Sequence, residues 1–394
     1  MRILHTADWH LGAELKHVSR LSDQMARIDE VLQVCDERNV DLLLVAGDFI
    51  DEKQSERMTP VLRRFGDMLR PRLRRGMHVV ILAGNHDREW VFPFLQAARD
   101  LFVASESSRL QFVWKPDLRV IETRSKERVR LMLLPYPRQT AYDLEAIVFK
   151  DAADRHRQLG DAVKQRIKGF ESQIKKDRDK MPTVVVAHLL ISGQKENGHE
   201  LTEEADVPIP RVYLPNYAYV ALGHVHLPTQ LGSATCRYSG SIERMDFGER
   251  NQPKEVVLVE LDKTGLVGEP EAVALHPTEL IEIDWHDGDD LVAIARGIAP
   301  NTICKLCLHA LLGTNVQALQ AQARDMLARL CWPPEIQWQD SDVTDAPAGS
   351  LALARADWQG AVRSYVKAQV PEDDPQHRDI MSAIEELLAE ESIK

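Results

Sequence analysis

The chain of 394 residues is long enough for two or three domains with a substantial core, and its 44% hydrophobic and 28% charged residues exclude wholesale disorder. A net charge of -12 speaks against gripping nucleic acid through an overall field, without excluding a local grip. The five cysteines are too scattered for a disulfide framework, no stretch approaches the roughly 18 uninterrupted apolar residues of a membrane span, and the amino terminus turns polar too soon for a signal peptide; a cytoplasmic protein without membrane association is expected.

In chain order, "MRILHTAD" reads as a strand, "DQMARIDEVLQVCDERN" as a helix, "VDLLLVAGD" as a strand, "ERMTPVLRRFGDMLRPRL" as a helix and "MHVVILAGN" as a strand. This βαβαβ series predicts an α/β sandwich whose active residues follow the carboxyl ends of the strands. Residues 63–76 hold Arg63, Arg64, Arg70, Arg72, Arg74 and Arg75, which suits either a local nucleic-acid contact or a solvated helix end. A charged segment at 144–180 has helical period, and "TVVVA" and "YVALG" are further strands. From about residue 276 the pattern becomes strand, helix, strand, helix, strand with no polar cluster at any strand end, the signature of a second domain that shapes or covers a site. Its Cys304 and Cys307 form a CxxC within an apolar run, expected to pack in a core. Residues 340–350 have linker composition. Beyond them, one helix presents Trp358, Val362, Tyr365 and Val366, and a second presents Ile380, Ile384, Leu387 and Leu388, a hairpin that needs another surface to cover it.

Five polar clusters follow five apolar runs: Asp8 with His10, Asp48, Asn85 with His86, His188, and His224 with His226. The i, i+2 spacing of Asp8 with His10 and of His224 with His226 is expected to aim each pair to one side of a sheet. Asp48 follows Gly47, where a glycine allows a sharp turn, and as the unpaired acid among these positions it is the natural bridge between two cations. Asp8, His10, Asp48, Asn85, His188, His224 and His226 together supply the donors that two divalent ions about 3.5 to 4 Å apart would want, with His86 left over. Such a pair, which lowers the pKa of a bound water from about 15.7 to about 7, makes a positive site for a phosphate on an acidic protein. Each histidine alone is more often a satisfied core residue; their occurrence together, each at its own strand end, carries the reading.

The ordered series "DWH", "GDFID", "GNHD", "AHLL" and "GHVH" resembles the calcineurin-like metallophosphoesterases over about residues 1–270. The flanks "ILHTADWHLG", "YVALGHVHLP" and "YSGSIERMDFGE" look like the SbcD family, nuclease subunits of an SbcCD-type complex that processes double-strand breaks and DNA hairpins with an ATPase, and so acts in repair, recombination and replication. The resemblance implies one manganese ion on Asp8, His10, Asp48 and His226 and another on Asp48, Asn85, His188 and His224. It implies His86 as the residue that protonates the leaving oxygen and Asp51 as the acid that orients it. Asp87 is then expected to support the loop by hydrogen bonding.

The same resemblance divides the chain into a nuclease domain (1–275), a DNA-facing α+β cap (276–340) and a helical hairpin (351–394) that docks on an SbcC-type ATPase in a heterotetramer. It implies a homodimer, for which Met58, Val61, Leu62, Phe65, Phe92, Phe94 and Leu95 offer apolar side chains, although these equally suit a core. The expected activity is 3′-5′ exonuclease and endonuclease cleavage of DNA. A phosphatase or small-molecule phosphodiesterase shares every ligand but needs neither cap nor hairpin, and a non-catalytic scaffold would normally have lost ligands or His86.

Overall fold

The computed structural model describes residues 1–51, 55–100, 107–193, 195–196, 199–200, 206–286, 289–311 and 316–339. The first strands and helices follow the pattern read from the sequence: β1 (Arg2–Thr6), α1 (Leu21–Glu37), β2 (Leu42–Val45), α2 (Ser55–Arg75) and β3 (His78–Leu82). The three strands are mutually parallel in the order β1, β2, β3, continued by Leu110–Val113 on one side and by the antiparallel Glu255–Asp262 on the other. A second sheet has β4 (Thr183–His188) between Arg128–Leu134 and β5 (Tyr219–Gly223), both parallel to it.

Strands buried on both faces need apolar side chains at every position, which is why these runs do not alternate with polar residues. Leu42 and Leu44 join Val184, Val186, Tyr219 and Ala221 in the core between the sheets, whereas Leu43 and Val45 pack with Met25, Ile28 and Phe65 of α1 and α2. The helix Ala152–Lys176 covers the second sheet through Leu159, Val163, Ile167 and Phe170. It begins at residue 152 because the Asp151 side chain accepts from the Asp154 N–H and caps the first turn; residues 144–151, part of the helical pattern in the sequence, lie outside it. The result is an α/β sandwich with helices on both outer faces.

One polar link joins the two sheets near their strand ends. His5 is fully buried, its Nε2 donating to the Leu222 carbonyl and its Nδ1 lying 2.9 Å from the Tyr219 hydroxyl. Burial lowers its pKa to about 3, so this imidazole is a neutral cross-brace.

Beyond residue 276, β6 (Leu280–His286) pairs in parallel with β7 (Ile303–Leu311), which pairs with β8 (Glu335–Gln339). Ile283, Trp285, Leu306 and Leu308 form the core of this small α/β layer with helices Leu291–Arg296 and Val316–Met326. Residues 1–310 and 315–337 form one compact unit; 311–314 and 338–394 form another, of which little is described. The expected helical hairpin at 351–394 lies outside the described residues.

Of the apolar residues named for a dimer, Met58, Val61, Phe65 and Phe92 are buried in the chain's own core, and Leu62 and Leu95 pack against it. Phe94 is exposed, in edge-to-face contact with exposed Trp90. The helical spacing that suggested an interface is largely the inward face of α2. Several arginines of residues 63–76 answer to local acids: Arg72 and Arg75 both bond Asp36, and Arg70 lies 3.0 Å from Asp67.

A candidate two-metal centre

The five polar clusters meet where the strand ends of the two sheets face each other, and glycines make the approach possible. Gly47 has φ +102°, and a Cβ there would sit 1.9 Å from His188 Nδ1. A Cβ on Gly84 would fall 2.1 Å from Asp48 Oδ1, and one on Gly223 2.0 Å from the Ala46 carbonyl oxygen. The loops after β1 and β2 continue side by side, with Asp8 N–H donating to Gly47 and the N–H groups of Trp9 and His10 donating to Asp48.

Asp8, His10, Asp48 and His224 have φ of 52°, 45°, 50° and 108°. The left-handed region is costly for residues with a Cβ, and such backbones concentrate at functional sites. It also corrects the expected i, i+2 geometry. Strand alternation stops before Asp8 and before His224, so each pair is aimed by a turn instead of a pleat. His226 therefore faces His10, their Nε2 atoms 3.1 Å apart, while His224 Nδ1 lies 3.0 Å from Asn85 Oδ1.

Two donor sets result. Asp8, His10 and His226 bring donor atoms within 4.8 Å of one another, and so do Asp8, Asp48 and His188. Asn85 Oδ1 lies 2.9 Å from His188 Nε2. Asp48 stands between the sets: its Oδ2 is 3.7 Å from His10 Nε2 and 3.4 Å from His188 Nε2. Its Oδ1 is taken by the His86 backbone N–H at 2.8 Å, so one oxygen, not the two the sequence suggested, faces both sets.

The chemistry of the donors tests whether a cation fits. His188 Nδ1 donates to the Ala46 carbonyl at 2.8 Å, which in the neutral ring leaves Nε2 as a lone pair aimed at two oxygens, Asn85 Oδ1 and Asp48 Oδ2. His226 Nδ1 likewise donates to Glu249 Oε1 at 2.8 Å and turns its Nε2 toward His10. Such facing lone pairs repel unless a positive charge lies between them. With metal–nitrogen bonds of about 2.0–2.1 Å, two donors at right angles on one ion sit about 3 Å apart, the spacing seen here. In the absence of a cation a proton takes its place: burial opposes a charged His188, but Asp48 and Asp8 outweigh it and push the ring up to about 9. The same imidazoles hold the Asp48 carboxyl well below the usual carboxylate range against its burial. Divalent ions fit this donor set.

His86 also comes within 4.8 Å of His10 and Asp48, so distance alone does not set it apart. Its surroundings do. Its side chain is 44% exposed where those of Asp8, His10 and Asp48 are at most 2% exposed, and its Nδ1 points to Asp51 Oδ2 at 3.4 Å. That contact with Asp51, against partial burial, raises the His86 pKa. Asp51 in turn is held ionised, its burial outweighed by the imidazoles of His10 and His86. Asp87 is buried and accepts from the N–H groups of Gly84, Phe49 and Ile50, stapling the Asn85 loop to the Asp48 loop.

Three supporting groups carry no signal in the sequence around them. Glu249 is buried, accepts from His226 Nδ1 and from Lys254 Nζ, and is pulled down to about 2 by those partners despite its burial. Asp206 lies 3.6 Å from His224 Nε2 and accepts from the Tyr136 hydroxyl, and the Tyr136 ring stacks on His224. Arg138 donates to the carbonyls of Gly84 and Asn85. Their distance along the chain from the residues they orient hides them; a metal-bound histidine needs an acceptor at its other nitrogen, but nothing in the sequence says which acid supplies it. Glu249→Gln is expected to weaken manganese binding by about 10- to 100-fold, measured by calorimetric titration of the metal-free protein. An unchanged affinity would remove Glu249 from the site.

Residues 1–228 match the family model described as calcineurin-like phosphoesterase. The SbcD nuclease of the SbcCD pair in Bacillus subtilis (strain 168) is 30% identical over 271 residues, 66% of this chain and 66% of its own, so the chain spans just under two thirds of that relative's length. The protein of the same name from Staphylococcus epidermidis is 27% identical over 301 residues, 74% of each chain. Among solved structures, a dimetal phosphatase from Danio rerio aligns with 70% of this chain and 99% of its own, at TM-score 0.39 and 11% identity. No helix among the described residues is long and apolar enough to cross a membrane.

Proposed function

The chain belongs to the calcineurin-like phosphoesterase family, and from that premise we propose that it is a two-metal phosphodiesterase that cuts DNA, as 3′-5′ exonuclease and endonuclease, within an ATP-driven break- and hairpin-processing complex. The observation that carries the two-metal reading is the pair of donor sets sharing Asp48 Oδ2, open to solvent on the side of His86. Two curated relatives named as SbcCD nucleases support the choice of DNA over a small phosphoester.

In this reading Asp8, His10, Asp48 and His226 hold one ion, and Asp48, Asn85, His188 and His224 hold the other, with manganese as the ion. Bound there, the pair supplies Lewis acidity toward phosphoryl oxygens and lowers the pKa of water. The chain's own groups do the rest. His86, kept protonated by Asp51, gives its proton to the leaving oxygen. Glu249 and Asp206 hold the outer nitrogens of His226 and His224, and Asp87 and Arg138 fix the loop between Asp48 and Asn85.

The proposed division is a nuclease domain to residue 275, a DNA-facing cap at 276–340 and a hairpin at 351–394 that binds an SbcC-type ATPase. The proposed homodimer would use the exposed Trp90 and Phe94. The deciding experiment is manganese-dependent cleavage of hairpin and single-stranded DNA, with and without the ATPase and ATP. Cleavage of p-nitrophenyl phosphodiesters with no activity on any DNA under these conditions favours the small-molecule reading instead. Deleting residues 351–394 is expected to abolish co-purification with the ATPase and leave manganese binding unchanged; retained co-purification rejects the assignment of the hairpin.

A further inference from the structure

The small layer beyond residue 276 carries a second group of metal-binding side chains. In β6 and β7 successive residues face opposite sides, and the parallel register places Asp284 beside Cys307 and His286 beside His309. Ile283, Trp285, Leu306 and Leu308, which alternate with them, fill the core. The four residues therefore share the other face. Cys304, three positions before Cys307, falls on the core side, so the CxxC does not act as a pair.

On that face His309 Nε2 lies 3.0 Å from Asp284 Oδ1. The His286 and His309 rings stack, their centroids 4.4 Å apart and their planes 12° from parallel. Donor atoms of Asp284, Cys307 and His309 all lie within 4.8 Å of one another. Tetrahedral zinc with bonds of about 2.0–2.3 Å places its donors roughly 3.3–3.8 Å apart, within reach of small side-chain rotations. A surface ion pair would account for Asp284 and His309. It does not account for a thiol and a second imidazole gathered on the same square of the ladder.

We propose that Asp284, Cys307 and His309 bind a zinc-class divalent ion, with His286 turning to close the fourth position, at a site separate from the phosphoesterase centre. Thiolate and imidazole donors select zinc over magnesium, calcium or manganese. Binding exchanges the Cys307 S–H bond for an S–metal bond and releases that proton to solvent. The ion would clamp β6, which lies at the edge of its three-stranded sheet, onto β7. Its role is to hold the small layer together, and it rests on no assumption about the reaction catalysed elsewhere.

The test is titration of the metal-free full-length protein with cobalt(II). The phosphoesterase centre offers only nitrogen and oxygen donors, so a thiolate-to-cobalt charge-transfer band reports the second site alone. The band is expected to saturate at one ion per chain, to vanish in Cys307→Ala, to survive in Asp48→Ala, and to need at least about tenfold more cobalt in His309→Ala. Zinc is expected to displace the cobalt and to raise the unfolding temperature of the native protein but not of Asp284→Ala. Asp284 is exposed and His309 lies at the surface, so those variants decide the matter if Cys307→Ala fails to fold. Absence of the band in the native protein, or its persistence in Cys307→Ala, overturns the site.

Discussion

Asp48→Ala is expected to leave both halves of the centre unable to hold their ions and to lower phosphodiester cleavage by about a thousandfold or more. Lewis-acid stabilisation by bound metal amounts to several kcal/mol, and each 1.36 kcal/mol is about tenfold in rate. The expectation follows from position. Asp48 Oδ2 is the atom that faces both His10 and His188, so its loss leaves each set a donor short and exposes the facing lone pairs to each other. Metal content by elemental analysis, with anomalous scattering from manganese-soaked crystals, reads the result directly. Full occupancy at both positions would show that Asp48 is not the bridge.

His86→Ala separates binding from turnover. The ring stands at the exposed side of the centre and is held by Asp51, so its loss is expected to spare manganese affinity and to lower the cleavage rate by about 10²- to 10⁴-fold, the usual range for a positioned acid. The pH profile adds a second readout. An acid works only while protonated, so activity falls as pH rises through the His86 pKa. Contact with Asp51 raises that pKa, and Asp51→Asn is expected to bring the alkaline fall to lower pH. Parallel loss of manganese in His86→Ala would instead make His86 a ligand, and an unmoved alkaline limb in Asp51→Asn would break the link between the two residues.

Much of the centre was legible because parallel strands buried on both faces leave a plain record: an apolar run, a glycine, then a polar residue. "DLLLVAGD" and "VVILAGN" each contain strand, turn and donor in a few residues, and the two sheets bring such ends together. What pointed where was less legible. The aim of His224 and His226 depends on φ of +108° at His224, which ends the pleat, and spacing alone cannot report that angle. Glu249 and Asp206 escaped because an acceptor can come from anywhere in the chain. Met58, Phe65 and Phe92 misled for the opposite reason, since the same helical stripe serves a core or an interface and only burial separates them.

The left-handed backbone at Asp8, His10, Asp48 and His224 bears on how controls for this centre are chosen. Asparagine enters that region readily, whereas alanine forced into a left-handed conformation pays about 1–2 kcal/mol and valine more. An alanine at these positions thus removes a donor and disturbs the loop in one stroke. Pairing each alanine variant with its asparagine counterpart, above all Asp48→Ala with Asp48→Asn, distinguishes lost ligand chemistry from lost shape: a defect common to both belongs to the carboxylate, and one confined to alanine belongs to the fold of the loop.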